Sequence, residues 1–160
     1  MNTAASGEKL AIFNSLEEVL AGAGREVGVS PWIDVPQERI TTFGKNTGDE
    51  YWIHMDPERA KRESPFGNTI AHGFLLLSLL AEMMSRTVRY EWHPDGLNYG
   101  LNRVRFINPV RAGSRIRGRF AVASVKLREG GGEVTWGITV ECEGLEKPAL
   151  VAEWVTRVGF

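Results

Sequence analysis

The chain is organised around the segment GDEYWIHMDPERAKRESPFGNTIAHGFLLLS, residues 48–78. An aspartate, Asp49, stands five residues before a histidine, His54, and a second histidine, His72, directly precedes a long apolar run. Carboxylate and imidazole groups exchange protons near neutral pH, because a histidine side chain titrates near about 6.5. Acid–base residues beside a buried helix indicate an enzyme.

Asp49 and His54 are the candidate pair. If they converge they can hold one water molecule, one group taking a proton while the other gives one up. The residues between them are too few for a helix of their own, and their aromatic rings would shield the site from bulk water. Asp49 also follows Asn46-Thr47-Gly48, a helix C-terminal signal, so it is open to interpretation as a turn residue. His54, Asp56 and His72 are possible metal ligands, but no close Cys/His spacing accompanies them and we expect no metal.

Three short helices are predicted from their capping residues. Ser15-Leu16-Glu17-Glu18 is a capping-box pattern, and the helix that it starts ends near Gly22. A second helix starts within residues 34–37, where a proline stands beside polar residues, and it ends where the Asp49 loop begins. Asp56-Pro57-Glu58 combines an N-cap, a first-turn proline and an acid at the positive end of the dipole, which predicts a helix to about Glu63.

The apolar run of residues 74–84 predicts a core helix wrapped by a sheet. The run is apolar on nearly every side, and it is shorter than the roughly 20 apolar residues that a membrane-spanning helix needs. A helix that begins near Gly73 leaves its first N–H groups unpaired, and these can polarise a carbonyl oxygen that approaches closely. The alternative is that Gly73 only allows tight packing. Ser78 either orients the Asp49 carboxylate or starts a polar stripe with Glu82.

Beyond residue 96 the pattern becomes that of strands, separated by glycines, prolines and charged turns. In the strand over 113–127, apolar residues alternate with arginines, which predicts one buried and one solvated face. The segment 90–96 is predicted as a loop at an entrance. The predicted strands are 27–33, 97–107, 113–127, 133–143 and 149–158.

Composition limits the class of protein. With 160 residues, 42% of them hydrophobic, the chain is predicted to be one domain, 1–160, with residues 1–26 as an N-terminal helical extension. Nineteen basic against twenty acidic residues favour neither nucleic acid nor an anionic membrane as partner. Cys142 is the single cysteine, and no signal peptide is recognisable, so we expect a cytoplasmic protein.

All of the charged residues between Asp95 and Glu129 are basic. Most are expected to lie on a solvated sheet face balanced by acids elsewhere. One or two arginines are alternatively suited to grip the phosphates of coenzyme A. The residues are Arg103, Arg105, Arg111, Arg115, Arg117, Arg119, Lys126 and Arg128.

Several blocks in order, over roughly residues 30 to 157, resemble the MaoC-like, (R)-specific enoyl-CoA hydratase family. A second group of blocks resembles the strand motif of that family downstream of the helix. Many members have Asn-Pro where this chain has Tyr51-Trp52, and this version resembles the NodN-like branch. The matching residues are Gly48-Asp49, His54, Asp56-Pro57, Ala60, Ile70-Ala71-His72-Gly73, Leu76 and Ser78, followed by Val104-Arg105-Phe106, Pro109-Val110 and Gly113.

The resemblance implies an α+β hot-dog fold, in which a curved antiparallel sheet wraps a long central helix, paired into a homodimer with an acyl-thioester tunnel. It implies that Asp49 and His54 are catalytic, that Ser78 orients the aspartate and that the Gly73 amide holds the thioester carbonyl. We also assign substrate-contacting positions near that tunnel. They are Tyr51, Trp52, Phe66 and His72.

The implied reaction is the addition of water across the 2,3-double bond of an enoyl thioester, or its reverse. The substrate carries coenzyme A or an acyl-carrier protein, so no separate cofactor is expected. A hot-dog thioesterase, which would attack the thioester carbonyl, and a non-catalytic acyl-thioester-binding subunit are the alternatives.

Overall fold

Eight strands and five helices follow one another along residues 8–92 and 96–159, which are the residues that this computed structural model describes. The elements, in chain order, are β1 (Ala11–Phe13), α1 (Leu16–Ala21), β2 (Glu26–Val29), β3 (Ile33–Val35), α2 (Gln37–Thr47), α3 (Trp52–Met55), α4 (Pro57–Glu63), α5 (Gly73–Ser85), β4 (Val88–Tyr90), β5 (Gly96–Phe106), β6 (Ser114–Arg128), β7 (Gly131–Cys142) and β8 (Leu150–Val158).

The main sheet is antiparallel, with strands in the order β2-β6-β7-β8-β5, and β3 pairs with a further part of β6. The four long strands predicted beyond residue 96 are confirmed to within two residues of their ends. The strand predicted over 27–33 is two strands instead. Pro31 lacks the N–H that a continuous ladder would need, and the Ser30 hydroxyl accepts a hydrogen bond from the Gly118 amide at 2.9 Å at the break.

The alternation in β6 is confirmed, and it builds the core. Ile116, Phe120 and Val122 are fully buried on one face of the strand. They share one apolar cluster with the inward residues of β7 and with the buried side of α5. On the other face the arginines are ion-paired, as expected for a balanced sheet surface; the pairs include Arg115–Glu143, Arg117–Glu141 and Arg119–Glu26.

Helix α5 is the central helix, and only part of it is buried. Leu75, Leu76, Leu79, Leu80 and Met83 face the sheet. The opposite stripe is open, and Phe74 on it is 69% exposed. The predicted core helix is therefore buried except along this stripe, which contains Ser78, as the polar-stripe alternative predicted, and which runs along the mouth of two cavities.

Three short elements were not predicted. Residues 52–55 form a single helical turn, α3, where we expected no helix. The turn is held by hydrogen bonds from the Ile70 amide and the Gln37 side chain to the carbonyls of Ile53 and His54. The N-terminal region is not purely helical, since β1 pairs in parallel with β4 before α1 begins. Residues 1–7 of that region and residues 93–95 of the predicted 90–96 loop lie outside the described residues. Within those that are described, no helix is long and apolar enough to cross a membrane.

Candidate active site

The site forms where α2 ends, α3 turns and α5 begins. Gly48 caps α2 in the left-handed conformation, with φ 75°, as the Asn46-Thr47-Gly48 signal predicted. The chain then reverses, so that Asp49 lies in an exposed loop and His54 lies in the turn α3. His72 is the residue immediately before α5. A residue just after the end of α2, a residue of α3 and the residue before α5 are thereby brought together.

His54 is held through one ring nitrogen. Its Nδ1 lies 2.7 Å from the Ile70 carbonyl oxygen, and a carbonyl can only accept, so Nδ1 carries the proton. The neutral ring therefore offers the lone pair of Nε2. Burial lowers the pKa of His54, the Ile70 hydrogen bond raises it, His72 lowers it and Asp49 raises it, with a net effect below the usual value. The imidazole is thus oriented and kept available as a neutral group.

His72 holds the backbone of the Asp49 loop in place. It is 2% exposed, and its Nε2 donates to the backbone carbonyl of Asp49 at 2.8 Å. Its ring stacks on that of His54 with the centroids 3.9 Å apart. Nδ1 of His72 is buried and has no hydrogen-bond partner among the described residues. In this structure His72 supports Asp49 and His54 and is too buried to line a substrate cavity as we had assigned it.

Asp49, His54 and His72 form one cluster, in which one possible ligand atom from each lies within 4.8 Å of the others. Two groups that hydrogen-bond one water at about 2.8 Å lie about 4.4 to 4.9 Å apart. A separation of at most 4.8 Å admits the predicted shared water. A metal is a poorer fit, because an ion must lie in the plane of each imidazole that binds it, whereas these rings are stacked at 27°. Asp56, considered earlier as a ligand, instead caps α4 by accepting from the Arg59 amide.

Gly44, in the interior of α2, makes the close approach of these groups possible. A methyl group at this position would lie 2.9 Å from the Asp49 carbonyl oxygen and 3.3 Å from Cε1 of His72. Sequence reasoning missed this residue. The available signal was a glycine inside a predicted helix. Alanine is preferred there by about 1 kcal/mol, so a glycine indicates that a side chain would not fit.

Gln37 and Thr69 clamp the turn that carries His54, and they were also missed. The side-chain amide of Gln37 donates to the His54 carbonyl oxygen at 2.8 Å. The Thr69 hydroxyl donates to the Gln37 side-chain carbonyl, and Thr69 is fully buried. The Ile70 amide completes the clamp by donating to the Ile53 carbonyl at 3.1 Å. A polar residue at the start of a helix gave no sign of this long-range role.

Gly73 is the first residue of α5, so its N–H precedes the first intrahelical hydrogen bond, from Leu76 to the His72 carbonyl. A side chain here would meet the Phe106 ring at 3.1 Å. The packing explanation for this glycine therefore holds. The role of the Gly73 amide in binding a carbonyl oxygen stays a prediction.

Ser78 does not contact Asp49 in this structure. Its hydroxyl donates to the Phe74 carbonyl oxygen, one turn earlier in α5, at 2.8 Å. A serine in a helix commonly satisfies its hydroxyl in this way. Ser78 instead lines a cavity on the open stripe of the helix.

The aromatic residues assigned to substrate contact lie on the surface around α3. Tyr51 is exposed and its ring lies 5.7 Å from that of Trp52. Trp52 is half-buried and is covered by the Arg59 guanidinium at 4.4 Å, so part of its face is already occupied. Phe66 is half-buried near the end of α4. None of the three lines the cavities along α5 described next.

Two adjoining cavities follow the open stripe of α5. The first, of about 200 Å³, begins at Phe74 and Ser78, close to the amino end of the helix. The second, of about 570 Å³, continues to the carboxyl end. They share Ala81, Asn98 and Trp154 as lining residues. A path for an extended apolar group therefore runs along the central helix from Phe74 toward its carboxyl end.

The fold and the site together define a hot-dog protein with an acid–base cluster at the amino end of its central helix. Residues 19–142 match the family described as the MaoC like domain. The chain belongs to this family, and the predicted α+β hot-dog fold is confirmed.

Relatives of known name support the assignment. The chain is 49% identical over 148 residues to nodulation protein N of Rhizobium leguminosarum bv. viciae, covering 91% of this chain and 92% of the relative. It is 44% identical over 146 residues to 3-hydroxyacyl-thioester dehydratase Z of Mycobacterium tuberculosis, covering 91% and 96%. The resemblance to the NodN-like branch is thereby confirmed.

Solved structures agree on the fold. A MaoC-like dehydratase from Rhodospirillum rubrum superposes with a TM-score of 0.75 at 19% identity, over 92% of this chain and 97% of that one. An (R)-hydratase from Pseudomonas aeruginosa superposes with a TM-score of 0.67 at 19% identity, over 86% and 81%.

Proposed function

We propose that the protein is a hydro-lyase that hydrates trans-2-enoyl thioesters to 3-hydroxyacyl thioesters and catalyses the reverse dehydration. The observation that carries the proposal is the Asp49–His54 pair, in which one possible ligand atom from each lies within 4.8 Å of the other and the Ile70 hydrogen bond leaves Nε2 of His54 free. The dehydratase and hydratase names of relatives point to the same reaction.

In the hydration direction, Asp49 and His54 hold the water against the β-carbon of the substrate. The water oxygen forms the new C–O bond at the β-carbon, one of its protons passes to the pair, and a proton is delivered to the α-carbon. The two residues share these roles as a coupled unit. The chemistry needs no separate cofactor.

The thioester carbonyl lies at Gly73 in this proposal. Negative charge develops on its oxygen as the double bond accepts the nucleophile, and the unpaired amide at the positive end of α5 stabilises that charge. The side-chain-free position lets the oxygen approach within hydrogen-bonding distance.

The test is the loss of absorbance of the conjugated thioester when crotonyl-CoA is added. Wild-type protein should consume it, and Asp49→Asn or His54→Gln should each reduce kcat by about 100-fold to 10,000-fold, the usual contribution of a general acid or base. Asp56→Asn, which changes a carboxylate that only caps α4, is the matched control and should keep its activity. Activity retained in both site variants would contradict the assignment.

The product separates this function from thioester hydrolysis. A hydratase yields a 3-hydroxyacyl thioester and no free thiol, whereas a thioesterase releases coenzyme A. Chromatography of the products alongside a thiol assay therefore decides between the two with the same reaction mixture.

We propose that the protein works as a homodimer. Strand β5 is an edge strand of the sheet, and its residues are mostly exposed on both faces, with apolar side chains among them. An exposed apolar edge pairs readily with another strand. A substitution of Leu101, which is 45% exposed, by lysine should shift the protein toward monomers in size-exclusion chromatography with light scattering. A wild-type protein that is monomeric at micromolar concentration would refute the dimer.

Recognition of the thioester carrier is assigned to arginines near Gly73. Arg111 forms an isolated bridge with Ile70, two residues before His72, and it makes no ion pair among the described residues. Its guanidinium is suited to a phosphate of coenzyme A. We place the protein in the cytoplasm, where acyl-CoA and acyl-carrier-protein thioesters are both accessible.

A further inference from the structure

The larger cavity along α5 is apolar in most of its lining, yet it ends against a cluster of polar atoms. Trp136 and Trp154 are cross-strand neighbours in β7 and β8, and Asn98 and Thr156 are cross-strand neighbours in β5 and β8. All four line the cavity, which lies at the end of α5 far from Gly73. The catalytic cluster uses none of them.

Both tryptophans direct their only polar atom at this cluster. Nε1 of Trp154 donates to Oδ1 of Asn98 at 2.7 Å, and Nε1 of Trp136 donates to Oγ1 of Thr156 at 3.0 Å. An indole N–H can only donate, so each bond occupies an acceptor of its partner. These bonds leave unused the side-chain NH₂ of Asn98 and the hydroxyl proton of Thr156.

Tyr90 extends the same pattern. It lines the cavity, its ring is packed by that of Trp92, and it lies within reach of a hydrogen bond from Thr156. Burial raises the pKa of Tyr90, so the phenol stays protonated. The Tyr90 and Thr156 hydroxyls carry two protons and share one hydrogen bond, so one hydroxyl proton of the pair remains for a ligand. The Asn98 side-chain NH₂ likewise has no acceptor among the described residues.

The charge around the cavity is balanced. Among the described lining residues Arg89 is the charged one, and its guanidinium is paired with Glu91 at 2.6 Å. A buried carboxylate would need a charged partner, whereas a neutral oxygen needs only a donor. The surplus of neutral donors in an apolar cavity therefore favours an uncharged acceptor.

We propose that this cavity binds the distal part of the acyl chain, and that Tyr90 and Asn98 select a chain with a neutral oxygen, such as a keto or ether group, near its far end. The inference rests on the proposed enoyl-thioester function and names the class of substrate.

The length of α5 gives the position of the oxygen. The helix residues that line the larger cavity start at Ala81, which lies about 12 Å from Gly73 at about 1.5 Å per residue. An extended chain advances about 1.2 Å per bond, since three backbone bonds span about 3.6 Å. The preferred oxygen should therefore be about 10 to 14 bonds from the thioester carbonyl.

The experiment compares the binding of three saturated thioesters, which have no double bond to hydrate. They are tetradecanoyl-CoA, 12-oxotetradecanoyl-CoA and the ω-carboxy analogue of tetradecanoyl-CoA. Binding is followed by calorimetry and by intrinsic tryptophan fluorescence, to which the two cavity tryptophans contribute. The 12-oxo compound should bind about tenfold more tightly than the plain chain, the range expected for one net hydrogen bond. The ω-carboxy compound should show no such gain.

Tyr90→Phe should reduce the ratio of the two dissociation constants, plain over oxo, toward one. Tyr99→Phe is the matched control, because Tyr99 is on β5 but lies against Arg157 outside the cavity, and it should keep the wild-type ratio. Equal binding of the plain and oxo chains by wild type, tighter binding of the ω-carboxy chain or no binding of any chain would each overturn the inference. Since no turnover is involved, a failed hydratase assay leaves this result readable, and a failed binding preference leaves the hydratase proposal intact.

Discussion

The support that His72 gives to the Asp49 loop can be tested with one substitution. His72→Phe keeps an aromatic ring against His54 but removes the N–H that donates to the Asp49 carbonyl. The loop is exposed at Asp49, so water can replace part of the lost bond. The free energy of unfolding should therefore fall by only about 1 kcal/mol, the lower end for a hydrogen-bond deletion.

The effect on catalysis should be larger than the effect on stability. Displacing a reacting group by about 1 Å can reduce the rate by about 100-fold, and the lost bond is the one that fixes the backbone of Asp49. We expect kcat for crotonyl-CoA hydration to fall by about 30-fold to 100-fold, with a much smaller change in KM. Steady-state kinetics and urea unfolding at the same pH measure both quantities.

His72→Gln supplies the rescue control, because its side-chain amide can again donate toward the Asp49 carbonyl. It should recover part of kcat relative to His72→Phe. A His72→Phe protein with wild-type kcat but reduced stability would refute the reasoning, since the residue would then support the fold alone. Equal losses in the two variants would show that the donated hydrogen bond is not the cause.

Three further predictions concern other parts of the site. Gly44→Ala should lower kcat by about tenfold and destabilise the protein by about 1 to 2 kcal/mol, because overpacking outweighs the gain in helix propensity; Lys45→Ala, on the exposed side of α2, is the control. Burial lowers the pKa of His54 in the folded protein, so unfolding takes up a proton. The free energy of unfolding should therefore decrease as the pH falls from about 6.5 through the folded-state pKa of His54. Urea titrations at pH 7.5 and 5.5 should show a smaller pH effect in His54→Gln, and an unchanged effect would contradict this cause. Arg111→Gln should raise KM for crotonyl-CoA by about fivefold to tenfold, as for one charged hydrogen bond, and leave KM for the crotonyl thioester of N-acetylcysteamine unchanged; an equal rise for both would show that Arg111 does not act on the carrier.

Much of the fold could be predicted because its causes are local. Alternating residues such as Ile116 and Arg117 mark the two faces of a strand, and Gly48 marks the end of α2 by its freedom to adopt a positive φ. The position of Asp49 next to a helix end followed directly from this. Capping residues likewise located α4.

The internal support of the site could not be predicted, because it depends on contacts between segments far apart in sequence. His54 is fixed by a carbonyl 16 residues later, and His72 donates to one 23 residues earlier. No pattern in either segment specifies such a partner. Ser78 was misassigned for a related reason: its own helix offered a carbonyl at 2.8 Å, which is available wherever serine lies in a helix.

The parallel pairing of β1 with β4 gives the amino-terminal segment an influence on ligand affinity. Phe13 ends β1 and its ring centroid lies 6.3 Å from that of Tyr90, which ends β4. A purification tag or fusion that separates the three-residue strand β1 from β4 would remove the packing that holds the Tyr90 side chain in place. Recombinant protein with and without such an attachment should then differ in acyl-chain preference while sharing the same rate constant for short thioesters.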